Sequence, residues 1–255
     1  MQSHLKEQFF LHTDDPNPDI WSFETEEAGG ILAPALSNHG DSVTHKQLSQ
    51  PNRSVMRLDG IEVIRSDAAQ RYEQPILKAE RTWIMADPNT FFIIDRINAD
   101  RPVKVHSQFT LNNADSRLSL KVAAETKLVL RRNGAGMKFF LVRAASNGEE
   151  NRASLWLDTG DSRYSEPVEV IAARFGYTSE SYRQEHTMVY AAARDDTETV
   201  RHWHILPLTD RQFYVEPSAK SGGYSLELAQ DEELIIRNHS SGRNYRISRE
   251  ELTLL

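Results

Sequence analysis

The residues whose types are best suited to chemistry begin in HTDDPNPDIWSF, residues 12–23, where His12 and Asp15 share a polar stretch ahead of the first convincing strand. An imidazole changes charge near neutral pH, so His12 can act as general base or acid, and a carboxylate such as Asp15 can orient it or a substrate. The pattern is common, however. Asp-Pro-Asn-Pro is ordinary turn material, and a solvated loop is the competing reading. A second candidate is His202-Trp203-His204. Alternate residues of a strand share a face about 6.5 to 7 Å apart, which suits a shared metal once a neighbouring strand adds a third ligand. The sequence identifies no such ligand, and an exposed or hydrogen-bonded strand face is the alternative. Arg131, Arg132, Lys138 and Arg143 flank Asn133-Gly134-Ala135-Gly136. That basic hairpin tip suits a sulfated or uronate glycan, or simply keeps a sheet edge solvated. Tyr164, Tyr177, Tyr182 and Tyr190 are candidates to stack on sugars, against core or rim packing.

Strands must hold these side chains. Residues 77–113 carry three strand-like runs separated by Asp87-Pro88-Asn89 and Ala99-Asp100-Arg101-Pro102, which predicts an antiparallel meander with two turns. Phe91-Phe92-Ile93-Ile94 is a short continuous apolar run of buried-strand type. Val103, Val105 and Ser107 then alternate with Lys104, His106 and Gln108, so one face meets a core and the other lies near water. Similar runs recur to the C-terminus with little sign of long helices. The chain is therefore expected to be all-β, and its strands are too numerous for one ordinary sandwich. A large antiparallel β super-sandwich of two stacked sheets fits residues 1–255 as one domain. The polar segment AASNGEENR, residues 144–152, is the place for an internal break, with a long hairpin loop as the preferred reading.

Composition narrows the function. The 255 residues carry a net charge of −7, which argues against nonspecific nucleic-acid binding and leaves any polyanion to a local basic cluster. No run approaches the roughly 18 apolar residues of a membrane span. The absence of cysteine removes disulfides and thiolate-bound zinc. The first residues lack the basic and apolar regions of a signal peptide, so the chain is expected to stay inside or to be part of a longer one. Asn52-Arg53-Ser54 and Asn238-His239-Ser240 match the glycosylation pattern, and without a secretion signal they read as chance.

The order of motifs adds a resemblance. His12 leads into Trp21-Ser22-Phe23-Glu24-Thr25, Gly29-Gly30-Ile31-Leu32 follows, and PNRSVMRLDG, residues 51–60, precedes a strand bearing Arg81 and then Ile93-Ile94-Asp95-Arg96-Ile97. This series resembles the C-terminal β domain of the heparinase II/III-like polysaccharide lyases over roughly residues 10–115, most clearly 51–111. The resemblance implies a super-sandwich fold, a periplasmic or secreted setting, and action on an acidic polysaccharide or oligosaccharide such as glycosaminoglycan or alginate. It matches His12 to the family's active-site histidine, with Asp15, Asn52 and Arg53 as substrate-binding residues. Two departures stand out. The spacing from His12 to Phe23 is longer than the family's, with Pro16 and Pro18 between. Asn52 also stands where many relatives carry a histidine that helps bind a structural divalent metal, and an amide is a poor substitute for imidazole on zinc. β-Elimination on a uronate needs its carboxylate neutralised, a base for the neighbouring proton and an acid for the leaving oxygen. In the family an N-terminal α/α-toroid completes that set. No segment of this chain resembles its helical hairpins, so a toroid domain or subunit is an implied partner. A non-catalytic carbohydrate-binding module and a structural β domain remain as rival readings.

Overall fold

The computed structural model describes residues 9–10, 21–25, 31–32, 52–72, 75–113, 117–146, 149–158, 174–194, 204–209, 211–216, 223–229 and 232–255. A 13-stranded sheet contains β1 (Trp21–Thr25), β2 (Ile31–Leu32), β3 (Asn52–Leu58), β4 (Ile61–Asp67), β5 (Ile76–Asp87), β6 (Thr90–Thr110), β7 (Leu118–Ala124), β8 (Lys127–Arg132), β9 (Ala135–Ser146), β10 (Glu149–Glu150), β11 (Ala153–Asp158), β12 (Arg174–Ser179) and β13 (Arg183–Arg194). A 6-stranded sheet is the plain succession β14 (His204–Pro207), β15 (Gln212–Glu216), β16 (Tyr224–Leu228), β17 (Leu234–Asn238), β18 (Arg243–Ile247) and β19 (Leu252–Leu254). The pairs are antiparallel, as expected of an all-β super-sandwich.

The 21-residue β6 organises the larger sheet. Its first half lies between β5 and β13, and its second half lies between β1 and β12. The strand thus passes from one layer to another, and the larger sheet folds over itself. An outer layer of β2, β1, the second half of β6, β12 and β11 covers one face of a middle layer. The 6-stranded sheet covers the other. Phe91, Phe92, Ile93 and Ile94 are all 0% exposed because the middle layer is covered on both faces. Phe91 and Ile93 enter a core beneath the outer layer, while Phe92 and Ile94 enter a core against the 6-stranded sheet. Phe10 joins the first core through a bridge to Leu111, with its ring 5.7 Å from Trp83 and 6.0 Å from Phe109.

One expected turn is a turn and the other is not. At the first break Asn89 N–H donates to Asp87 Oδ1 at 2.7 Å, and the chain reverses into β6. Residues 99–102 instead lie within β6, where the meander reading required a second reversal. At that point the partner on one side changes from β5 to β1, and the β13 ladder on the other side shifts register between Arg183 and Glu185, so the missing N–H of Pro102 interrupts no continuous ladder. Asp59-Gly60 and Asn133-Gly134 form tight hairpin turns, with φ of 50° and 88° in the first and 50° and 79° in the second. Glu149 and Glu150 pair back onto Ser146 and Ala145.

A buried ion pair joins the layers. Arg81 of β5 donates to the Asp95 carboxylate of β6 at 2.6 and 2.7 Å, with the residues 3% and 1% exposed. Ser107, from the outer-layer half of β6, donates to Asp95 at 2.6 Å, and Trp21 Nε1 of β1 does so at 3.1 Å. Arg81 also reaches the Gln108 carbonyl at 3.0 Å. Nearly every lone pair and N–H of the pair is thereby used, which is the condition for holding charges away from water.

Candidate functional site

The solvent side of the outer layer gathers the most chemistry among the described residues. Because residues alternate, Val103, Val105, Ser107 and Phe109 of β6 turn inward, while Lys104, His106, Gln108 and Thr110 share the opposite face. β1 contributes Ser22 and Glu24, and β12 contributes Arg174, Gly176 and Thr178. Trp156 and Asp158 of β11 stand opposite Gly176 and Arg174. Tyr182 follows β12 and reaches back to Glu24.

Within this face His106 Nδ1 is 2.8 Å from Thr178 Oγ1, and its Nε2 is 3.9 Å from Glu24 Oε2. The second separation exceeds a hydrogen bond but leaves the imidazole facing a carboxylate. That geometry favours the tautomer with hydrogen on Nε2 and with the threonine hydroxyl donating to Nδ1. The Tyr182 hydroxyl donates to Glu24 Oε1. Lys104 Nζ lies 4.6 Å from the centroid of the Tyr182 ring, directly across the ladder from Glu24. Burial lowers the His106 pKa from its usual 6.5, an effect that Glu24 opposes and Lys104 adds to. The imidazole is therefore neutral at neutral pH. A hydroxyl on a carboxylate, an imidazole behind it and a lysine beside it can move a proton and offset a negative charge.

These shifts set a testable ordering. By nuclear magnetic resonance, the His106 midpoint is expected below 6.5, higher in Lys104→Met and lower still in Glu24→Gln. A midpoint above 6.5 in the unaltered protein would contradict the arrangement. Since the folded pKa lies below the unfolded one, the unfolded chain binds the proton more readily. His106 therefore contributes stability above pH 6.5 that is lost as pH falls through the folded value.

Beside this cluster Trp156 lies over Gly176. A Cβ at position 176 would fall 2.6 and 2.7 Å from Trp156 Cζ2 and Cε2, and 2.0 Å from the Ser107 carbonyl oxygen. Arg174 Nη2 bridges to Asp158 Oδ2 at 3.1 Å, with side chains 42% and 40% exposed. Ser154 donates to Glu180 at 3.1 Å near a cleft bounded by Val122, Glu125 and Leu155.

Few of the described residues singled out by sequence belong to this face. His12, Asp15, Tyr164 and His202 lie outside the described residues. His204 begins β14 opposite Glu216. Asn52 and Arg53 are exposed at the start of β3, paired with Asp67 and Ser66. Successive strand residues face opposite ways, so a ligand touching both would have to wrap the sheet edge. Among the described residues no three His, Asp or Glu side chains form a group able to hold a metal ion. Tyr177 and Tyr190, considered as stacking residues, are 0% exposed and belong to the first core. Lys138 of the basic hairpin is 3% exposed, so it is not a free hairpin cation. Of the sequence candidates among the described residues, only Tyr182 sits in the outer-face cluster. Glu24, His106, Thr178 and Trp156 were not singled out, although the alternation at residues 103–108 marked His106 and Lys104 as facing away from the core.

No family model matches the chain, and no curated protein matches it. Among solved structures it is similar to the heparan sulfate lyase HepC from Pedobacter heparinus, with 14% identity over 81% of this chain and a TM-score of 0.47. It is also similar to a heparinase III, with 8% identity over 84% of this chain and a TM-score of 0.45. The chain spans 28% of the length of each.

Proposed function

We propose that the chain is the β portion of a lyase acting on uronate-containing polysaccharide by β-elimination, with the glycan lying on the outer-layer face. The observation that carries this reading is the meeting of Tyr182, Glu24, His106 and Lys104 on one sheet face. Lys104 would offset the uronate carboxylate, which makes the neighbouring C–H acidic. Tyr182, hydrogen-bonded to Glu24, would exchange a proton with the sugar, and His106 would keep the carboxylate poised. His12 and Asp15, preceding β1 in the chain, are proposed to add a base and its orienting carboxylate. Asn52 and Arg53 are proposed to hold substrate at the sheet edge, and an α/α-toroid domain or subunit to close the site.

The isolated chain is expected to bind soluble polyuronate without appreciable cleavage, read as absorbance of the unsaturated uronate product. Addition of a toroid-bearing partner should bring turnover that falls at least about a hundredfold in Tyr182→Phe, as expected on losing a positioned acid or base. Robust turnover by the chain alone would show that the site is complete without a toroid. A binding module is the second reading, favoured by Trp156 over Gly176, and predicts no turnover with any partner.

A further inference from the structure

We propose that Trp156 is the floor of a pyranose-stacking subsite beside the Tyr182 cluster, with Arg174 and Asp158 reading the hydroxyls of the stacked sugar. This rests on the reading that the outer face holds a glycan, and names the feature that would fix its register. Trp156 sits directly across the ladder from Gly176, which has no side chain to hold the indole away from the backbone. The indole therefore leans over position 176, with Nε1 buried and the residue as a whole only half-buried. A pyranose presents an apolar C–H face to such a ring and hydroxyls around its rim. One row away Arg174 and Asp158 lie on the same face, their side chains 42% and 40% exposed, with Nε and Nη2 of the guanidinium turned to the carboxylate and its other N–H groups left to a sugar rim. On the other side lie Thr178, two residues further along β12, and His106 of β6, diagonal to Gly176 at about 7 to 8 Å. A chain of sugars stacked at Trp156 would thus extend toward Lys104 and Tyr182. The paired cation and anion at the rim suit hydroxyl recognition, whereas the uronate charge is left to Lys104.

The test is intrinsic fluorescence and calorimetry with a short oligouronate, using the full chain and two variants. Trp156→Leu keeps an apolar cover over Gly176 but removes the π face, and Trp156→Phe restores a smaller one. Saturable binding by the unaltered protein, at least about tenfold weaker in Trp156→Leu and within about threefold in Trp156→Phe, is the expected result. Unchanged circular dichroism in both variants would assign the loss to the platform. Equal affinity in the unaltered protein and Trp156→Leu would overturn the stacking subsite while leaving the glycan reading intact. No binding by the unaltered protein would overturn both. If Trp156→Leu does not fold, equal affinity in Arg174→Ala and Asp158→Asn overturns the subsite, and loss in both supports it.

Discussion

Arg81→Ala should lower the stability of the chain by about 3 to 5 kcal/mol, because it strands the Asp95 carboxylate in the first core without its cation. Asp95 is 1% exposed, and the remaining donors, Ser107 and Trp21, carry no charge to replace the guanidinium. Replacing both partners by apolar residues, as in Arg81→Met with Asp95→Leu, should cost much less than the single change, since no buried charge is then left unpaired. Urea unfolding of the two variants gives the comparison. The functional link is positional. Ser107 and Trp21 belong to the strands that carry His106 and Glu24, so loosening the clamp should also weaken whatever the outer face binds. A single variant as stable as the original would show that the ion pair does not tie the layers together.

Gly176→Ala should be the most damaging one-carbon change on the outer layer. The added Cβ would fall 2.0 Å from the Ser107 carbonyl oxygen, a backbone atom that cannot move without shifting β6. Such overpacking typically costs about 1 to 3 kcal/mol, and a backbone obstacle places this site at or above the upper end. The same change pushes against Trp156, so a shift in tryptophan emission should accompany the lower unfolding midpoint. An alanine variant with unchanged midpoint and emission would mean that the indole does not lie over position 176.

Much of the architecture was readable in the sequence because it depends on local signals. The alternation from Val103 to Gln108, the buried run from Phe91 to Ile94 and the Asp-Gly and Asn-Gly turns each follow from the chemistry of a few adjacent residues. The continuity of β6 through Pro102 was not readable. A proline next to Asp100 and Arg101 carries the same local signal at a turn as at a strand that changes neighbours, and the difference lies in β1 and β12, which are distant in sequence. The outer-face cluster was hidden for the same reason. Glu24 and Tyr182 hydrogen-bond across 158 positions, and Trp156 matters only because β11 and β12 place it opposite Gly176. His106 was visible as a water-facing residue, but its role depends on Thr178, 72 positions away. A motif search favours compact groups such as residues 12–23, whereas a sheet assembles its faces from distant strands.

The face bearing Lys104 and Tyr182 is proposed to hold an acidic glycan. Calorimetric titration of a short oligouronate into the unaltered chain and into Lys104→Ala, at low ionic strength, tests it most directly. The expected result is one saturable site that weakens by roughly tenfold on loss of the lysine and weakens further as salt is raised. Identical affinity in the two proteins, or binding lost only on Arg53→Ala, would place the glycan elsewhere and contradict the account.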